Sequence, residues 1–326
     1  MKEDLKNSRI QEELSTSEIR FRRLFESAQD GILILDAITG SIISVNPYLA
    51  NTLEYSQESF VGKKLWELGS FKDIAESKYS FRELQSEKYI RYDDLPLLTK
   101  TGKRKEFEFI SNVYQEGDKK VIQCNIRDNS ERKKAADREH LSRDALSQLN
   151  DSKSTTEIIH SILILIQDYS GLEAVGIRLK DGEDFPYYET KGFTEDFLQA
   201  ERLLCEHDDL GRLVLDENGK PVLECMCGNV ICGRTNPALP FFTRGGSFWS
   251  NCTTEFLTSP SARQARNRCN KDGYESVALI PLRSGNDIIG LLQFNDHRKN
   301  LFSSDIIQFF EGLGSAIGIA LTRKLT

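Results

Sequence analysis

Apolar residues recur at helical spacing at the start of the chain. No Pro or Gly interrupts residues 1–28, and five seam positions there alternate spacings of four and three residues, as in a coiled coil. These positions are Ile10, Leu14, Ser17, Phe21 and Leu24. The pattern predicts one amphipathic helix and leaves two interpretations open: a short dimeric coiled coil, or a helix that covers a neighbouring domain.

The rest of the first half has the pattern of an antiparallel sheet. The segment GILILDAITGSIISVN contains two apolar runs separated by a Thr-Gly turn, which predicts a β-hairpin followed by short helices. Further on, RKEFEFISNVY and KVIQCNIRD alternate apolar and polar side chains, the period of half-buried strands. Cys124 shares a face with Ile122 and Ile126, so we interpret it as a core thiol.

A second sheet is predicted after a long polar helix. Residues 129–150 lack Gly and Pro and mix both signs of charge around a few apolar residues, which is typical of a connecting helix. A helix through Ile158, Ile162 and Ile166 follows, and then strands in AVGIRLKDG and PYYETKGF. A hairpin turns at Ser284-Gly285-Asn286. The predicted fold class is α+β, with two antiparallel-sheet domains that are flanked by helices and joined by a helical linker.

The last predicted helix carries an apolar face at helical spacing. Its members are Ile306, Phe310, Leu313, Ile317 and Ala320. We interpret this face as a dimer seam.

Two stretches of the first half carry a resemblance to a known family. FRRLFESAQDGILILDAITGSIISVNPYLANTLEYSQESFVGKKLWEL resembles the opening of a PAS domain, and VIQCNIRDNSERKKA resembles its last strand running into the signalling helix. The Asp-x-Ser/Thr-x-Arg pattern at the exit of that family is met by Asp128, Ser130 and Arg132, although Asn129 stands where the family often has Ile. The resemblance implies a signal relay at these three residues, and an Asp followed by a hydroxyl can cap the exit helix.

The second half is similar to a GAF domain. The resemblance is clearest in ESVALIPLRSGNDIIGLLQFNDHRKNLFSSDIIQFFEGLGSAIGIAL, and LECMCGNVICGRTNPALPFFTRGGSFWSNCTTEFL is similar to a segment found in GAF domains of sensor histidine kinases. Such PAS-GAF arrays occur in methanogens and environmental bacteria. The expected organisation is an N-terminal helix (1–16), a PAS domain (17–136), a helical linker (137–150) and a GAF domain (151–326).

The composition of the chain limits the classes of partner that we expect it to bind. The chain of 326 residues has 43 Lys+Arg against 50 Asp+Glu, and it lacks the basic stripe of a nucleic-acid-binding protein. No apolar run in the sequence reaches the length of a membrane span, and the N-terminus is too polar for a secretory signal. We therefore expect a cytoplasmic protein without membrane or nucleic-acid partners. With 7 cysteines, an odd number, we expect free thiols rather than a disulfide framework.

The resemblance implies a sensory function without catalysis. We expect a homodimer that detects a small-molecule ligand or a redox state and relays it to a histidine kinase or a response-regulator pathway. The alternatives are a fragmentary sensor kinase and a ligand-free dimerisation scaffold. The chain lacks a recognisable phosphoacceptor motif and nucleotide boxes, and we interpret His140, on the linker helix, as a solvated histidine.

The cysteines are the candidate chemistry. The only PAS cysteine lies on a strand and residues 17–136 contain no His, so we expect neither flavin nor haem in that domain. Four cysteines, Cys225, Cys227, Cys232 and Cys252, cluster in the GAF segment. The spacing departs from the C-x2-C knuckles of zinc sites. Four interpretations stay open: a zinc or iron–sulfur site, haem attached through one cysteine with His207 or a cysteine as axial ligand, a metal-free thiol sensor, or core lining.

The thiol-sensor interpretation depends on local geometry. If the segment around Cys225 and Cys227 is extended, the two side chains point to opposite faces, so a bridge would need Cys232 or Cys252. Cys205 and Cys269 stand alone in the sequence and receive no role.

Overall fold

The computed structural model describes residues 2–68, 89–259 and 266–325, and the chain divides into two compact domains, Met1–Ala136 and Asp137–Thr326. Each domain contains a five-stranded antiparallel sheet, with the strand orders β2-β1-β5-β4-β3 and β7-β6-β10-β9-β8. Helices flank both sheets. The predicted fold class, α+β with two antiparallel-sheet domains, is confirmed.

The first domain begins with a long helix and a hairpin. The helices are α1 (Lys2–Ser27) and α2 (Pro47–Thr52), followed by two 3-10 turns (Gln57–Ser59 and Leu65–Glu67). The strands are β1 (Gly31–Asp36), β2 (Ile42–Val45), β3 (Tyr89–Leu98), β4 (Arg104–Glu116) and β5 (Lys119–Asp128). Asn46 caps α2 by accepting a hydrogen bond from the backbone N–H of Leu49.

The core of the first domain explains its lone cysteine. Cys124 lies on β5 with Ile122 and Ile126, all fully buried, so the prediction of a core thiol is confirmed. Burial also raises the pKa of Cys124, because a thiolate is disfavoured away from water. This thiol is therefore unreactive in the folded domain.

Helix α1 leaves its apolar seam uncovered. The predicted helix is present, but Ile10, Leu14, Phe21 and Leu24 are 51–70% exposed. The interpretation that this face covers a neighbouring domain is therefore not supported within the first domain. Apolar side chains in water cost free energy, and this seam has no covering partner among the described residues of that domain.

The second domain contains seven helices and five strands in its described part. The helices are α3 (Ser130–Leu149), which begins before the domain boundary, α4 (Thr155–Ser170), α5 (Glu195–Ala200), α6 (Cys225–Ile231), α7 (Thr253–Phe256), α8 (Arg268–Lys271) and α9 (Ser304–Leu325). The strands are β6 (Ala174–Leu179), β7 (Tyr187–Lys191), β8 (Phe248–Ser250), β9 (Ser276–Ser284) and β10 (Asp287–Asp296).

The sheet of this domain separates two layers. Side chains alternate between its faces, so Val175 and Ile177 of β6 contact the layer of α3, α4 and α9, to which α3 contributes Leu141 and Ala145. The opposite face of the sheet contacts α5 and α6 together with their loops. We call the first the helix layer and the second the loop layer.

The last helix corrects one expectation. Phe310, Leu313 and Ile317 are at most 4% exposed because they pack on the domain's own sheet, so the apolar face from Ile306 to Ala320 is core and the dimer seam predicted there is wrong. Within the described residues, α9 is also the one helix long and apolar enough to pass a composition test for a membrane span. A core helix passes the same test, and this one is a core helix.

His297, which directly follows β10, leads to a prediction of pH-dependent stability. His297 Nδ1 contacts the Glu173 carboxylate, and Nε2 lies 3.0 Å from Asp272 O. Because both ring nitrogens face acceptors, the imidazolium is favoured, and the hydrogen bond with Glu173 raises the pKa of His297.

The stabilisation from His297 is complete below the pKa of the unfolded chain and is lost as the pH rises through the raised folded pKa. We expect His297→Gln to be less stable than the wild type near pH 5.5 and equally stable near pH 9. Urea unfolding at several pH values measures this difference. A difference in unfolding free energy that stays constant across that pH range would contradict this role of His297.

Candidate functional site

A row of buried polar side chains crosses the loop-layer face of the second sheet. Arg178 comes from β6, Tyr187 from β7, and Gln293 and Asn295 from β10. Arg178, Gln293 and Asn295 are at most 1% exposed. Buried polar groups cost free energy unless they are paired, so a row of them in a domain core suggests a functional requirement.

Arg178 is a buried cation without an acidic partner among the described residues. Its guanidinium donates hydrogen bonds to the backbone carbonyls of Phe185 (3.0 Å) and Glu201 (2.6 Å) and lies 3.6 Å from the ring centroid of Tyr187. Its buried Nε finds no hydrogen-bond partner there. The side chain therefore ties the loop before α6 to the sheet and keeps in the core a positive charge on which the Glu201 carboxyl group acts electrostatically without forming an ion pair.

The polar row reaches one of the thiols. Gln293 Oε1 accepts a hydrogen bond from the Tyr187 hydroxyl at 2.9 Å, and the Cys227 thiol lies 4.0 Å from the same oxygen. Gln293 Nε2 donates to Asn295 Oδ1 at 2.9 Å. The Nδ2 of Asn295 is buried without a hydrogen-bond partner among the described residues. The polar row thus contacts the Cys227 thiol at Gln293 and ends at an unpaired amide group.

The segment that carries Cys225 and Cys227 is a helix, which corrects the extended geometry considered above. All residues from Met226 to Ile231 are buried, so the helix is enclosed by the loop-layer core, and helical hydrogen bonds satisfy its buried backbone groups. Cys225 itself has φ 62°, a left-handed conformation that is strained for a residue other than Gly and that recurs at functional sites.

Three thiols meet at a cavity between α6, α8 and the sheet. Cys225, Cys227 and Cys269 line it together with Glu201 and Asn267. The cavity volume is about 50 Å³, which is room for a few water molecules. Asn267 Oδ1 is buried without a hydrogen-bond partner among the described residues, so this wall offers an acceptor to a hydroxyl group.

The three thiols differ in pKa because their surroundings differ. A hydrogen bond from the Cys227 thiol lowers the pKa of Cys225 to about 7 and raises the pKa of Cys227 well above its usual value. Burial raises the pKa of Cys269 to about 12 and also raises the pKa of the Glu201 carboxyl. Of the three thiols, Cys225 is therefore the one that ionises most readily, whereas Cys227 and Cys269 keep their protons near neutral pH.

The four cysteines selected from the sequence are not brought together. Cys232 is exposed at the end of α6, and the Cys252 thiol hydrogen-bonds Lys299 and Glu275 instead of lining the cavity. Cys269, which received no role in the sequence analysis, takes their place beside Cys225 and Cys227.

The cofactor interpretations do not fit this geometry. Among the described residues no three His, Cys, Asp or Glu side chains are arranged to hold a metal ion, so the donor set fits neither zinc nor an iron–sulfur cluster. Ligand pockets measure about 300–1,000 Å³, far more than this cavity, so haem does not fit it either. The proposed axial ligand His207 contacts Cys205 O, at 3.0 Å, and does not line the cavity.

At the exit of the first domain, two of the three predicted relay residues meet. Asp128 accepts a hydrogen bond from the backbone N–H of Ser130 (3.0 Å) and forms an ion pair with Lys105 (2.8 Å), so it stabilises the start of α3. Arg132 is exposed and has no contact within the described structure. Lys133 contacts Glu106 at 3.5 Å instead, and thus occupies the position that the pattern gave to Arg132.

The histidine on the linker helix is solvated. The His140 side chain is 70% exposed on α3, and its Nδ1 lies 3.0 Å from the Asp144 carboxylate one turn later. The interpretation of a solvated helical histidine is confirmed. An i, i+4 contact of this kind is ordinary helix-surface chemistry.

Comparisons with known proteins were made for the whole chain. A family model described as PAS domain matches residues 19–88, of which residues 69–88 lie outside the described structure. A search of curated proteins found no match.

Solved structures similar to the chain include both types of domain. A domain of a sensory box sensor histidine kinase/response regulator from Geobacter sulfurreducens is 25% identical, with 35% of this chain and 96% of that chain covered and a TM-score of 0.31. The GAF domain of the Acinetobacter phosphoenolpyruvate-protein phosphotransferase is 13% identical, with 56% and 92% covered and a TM-score of 0.39. fRMsr of Staphylococcus aureus in complex with substrate is 15% identical, with 56% and 95% covered and a TM-score of 0.40. PAS and GAF domains are thus among the known proteins that the chain resembles, as the sequence predicted.

Proposed function

We propose that this chain is a cytoplasmic, non-catalytic signal-sensing module, a PAS domain (17–136) followed by a GAF domain (151–326), that reports a redox state or a small ligand to a partner protein. The observation that carries the proposal is the thiol cavity and its polar row on one face of a sheet whose other face holds the helix layer. In this proposal, the sensing cavity and the helices that respond to it lie on opposite faces of the same sheet.

The cavity is the input in this proposal. A reactive thiol and an unpaired amide oxygen provide groups that a ligand or an oxidant changes. A change there is felt by Gln293 and Asn295, whose neighbours on β10, Leu292 and Phe294, point to the helix layer. The response requires that the two helix arrangements have different affinities for the ligand or different energies in the two redox states.

Helix α3 is the element through which the two domains exchange the signal. It begins beside the first sheet, where Asp128 contacts its first turn, and ends with Leu149 in the core of the second domain. The exposed seam of α1 is the surface through which two chains dimerise. The partner that reads the change is a histidine kinase or a response-regulator pathway.

The proposal is tested by hydrogen exchange of the whole protein, reduced and after treatment with hydrogen peroxide. We expect the exchange rates of α3 and α9 to change, because α9 packs on the sheet that carries the thiols and α3 belongs to the same helix layer. Identical exchange of both helices in the two states would refute redox input. A panel of small acids, screened by the same readout, then tests the ligand branch.

The relay gives a separate prediction. Asp128→Asn removes the ion pair with Lys105 and weakens the start of α3, so we expect a loss of about 1 kcal/mol and faster exchange in the first turn of that helix. Arg132→Ala is the matched control, because Arg132 is exposed and without contacts in the described structure. Equal effects of the two substitutions would contradict the assignment of the relay to Asp128.

A further inference from the structure

We infer that Cys225 is oxidised by a hydroperoxide in the cavity and that Cys269 then closes a disulfide with it. This inference rests on the proposed function, since it identifies the thiols of the same sensory cavity. It differs from the set suggested by the sequence, because Cys232 and Cys252 take no part and Cys269 does.

Geometry selects Cys225 as the first thiol to react. It is partly exposed at the cavity, whereas Cys227 is 4% exposed, so an oxidant from solvent reaches Cys225 first. Its left-handed backbone at φ 62° holds the side chain at the start of α6 where the Cys227 thiol donates to it. That hydrogen bond favours the thiolate, which is the reactive form of cysteine.

Geometry also selects the resolving thiol. Cys269 lines the same cavity from α8, is partly exposed, and is close enough for the charge of Cys225 to act on it. Cys227 is a poorer candidate, because it is buried and shares the short helix α6 with Cys225 at a separation of two residues. A disulfide holds two Cα atoms about 4.4–6.8 Å apart, so a bridge from Cys225 to Cys269 ties α6 to α8 and closes the cavity.

The chemistry balances with a hydroperoxide as the only oxidant. The Cys225 thiolate attacks the peroxide, an S–O bond forms, the O–O bond breaks, and the alcohol leaves after taking a proton. The Cys269 thiol then loses its proton and attacks the sulfenic sulfur, an S–S bond forms, the S–O bond breaks, and water leaves. In total, two thiols and one hydroperoxide give one disulfide, one alcohol and one water.

Two other cavity groups serve the first step. Glu201 lines the cavity and burial raises the pKa of its carboxyl group, so in its protonated form this group can give the leaving alkoxide a proton. Asn267 Oδ1, which has no partner among the described residues, can accept a hydrogen bond from the hydroperoxide. These contacts favour a small, polar oxidant such as hydrogen peroxide, consistent with the cavity volume of about 50 Å³.

The inference is tested on the reduced, full-length chain with one equivalent of hydrogen peroxide, in the presence of dimedone, which traps sulfenic acids. Peptide mass spectrometry locates the adducts and disulfides. We expect a Cys225–Cys269 bridge in the wild type, and at least a tenfold increase of the dimedone adduct at Cys225 in Cys269→Ser. Cys225→Ser should show neither product. Cys225→Asn, which tolerates the left-handed backbone but has no thiol, repeats that test if the serine variant folds poorly.

Cys232→Ser is the matched control, because this cysteine is exposed and lies outside the cavity. We expect it to behave as the wild type. A bridge between Cys225 and Cys227, adducts mainly at Cys232, or no effect of Cys269→Ser would each overturn the inference.

Hydrogen exchange separates this inference from the proposed function. If the bridge forms but α3 and α9 exchange as before, the thiol assignment stands and the signalling proposal fails. If peroxide still changes the exchange of α3 in Cys225→Ser, the signalling proposal stands and the assignment to Cys225 fails.

Discussion

Gly228→Ala is expected to destabilise the second domain by about 3 kcal/mol, because the new methyl group has no space. A Cβ at this position would overlap the backbone carbonyl and the Cβ of Leu223. The carbonyl cannot easily move away, since Arg234 donates a hydrogen bond to it at 2.8 Å. Helix α6 must shift instead, and with it the wall of the cavity that carries Cys225 and Cys227. Urea unfolding of the whole chain measures the loss of stability.

Gly312→Ala provides the matched control. Gly312 is also a helical glycine, in α9, but a Cβ there would meet nothing within 4 Å. The substitution should therefore stabilise the domain by up to about 1 kcal/mol, the ordinary gain of Ala over Gly in a helix. If both variants are equally stable, the close approach of α6 to Leu223 is not present in solution. The dimedone adduct at Cys225 should also fall in Gly228→Ala and stay unchanged in Gly312→Ala.

Elements with a long, regular period could be predicted from the sequence. The seam of α1, the alternation in β4 and β5, and the hairpin that turns at Gly285 each repeat one geometry over several residues. The family resemblance then supplied the order of the domains. The apolar face of α9 was located correctly, but the helical period is the same whether its partner is a second chain or the domain's own sheet, so the sequence could not decide between them.

The site needed the structure because its parts come from distant segments. Cys269 is separated from α6 in sequence and stands alone in RNRCNKD, so spacing gave no reason to connect it with Cys225. Arg178 lies in an otherwise apolar strand, AVGIRL, and this was the available signal: a charged residue inside such a run has to be paired, solvated or functional. Whether Arg178 is buried depends on the loop layer that covers its face of the sheet. The sequence of that layer has no regular hydrophobic period, so this burial could not be predicted.

If two chains dimerise through α1 as proposed, Ile10→Glu is expected to weaken that dimer more than a hundredfold, equivalent to about 3 kcal/mol. Ile10 belongs to the alternating four-and-three seam of α1, and 51% of its surface is exposed in the single chain. The same helix of a second copy has a seam of matching periodicity and hand, and it would bury these positions as a coiled coil. A carboxylate at a seam position would be buried without a partner, and this is strongly unfavourable. Sedimentation equilibrium over a range of concentrations measures the dissociation constant.

Ile19→Glu is the control that distinguishes association through the seam from non-specific hydrophobic association of α1. Ile19 has nearly the same exposure, 54%, and the substitution is chemically identical, but the residue lies off the seam, so its carboxylate remains in water in the dimer. The dissociation constant should stay within a factor of about three. If both variants weaken the dimer alike, α1 associates through general hydrophobicity and its register cannot carry a signal. If neither does, α1 is not the dimer interface and the proposal that its seam joins two chains fails.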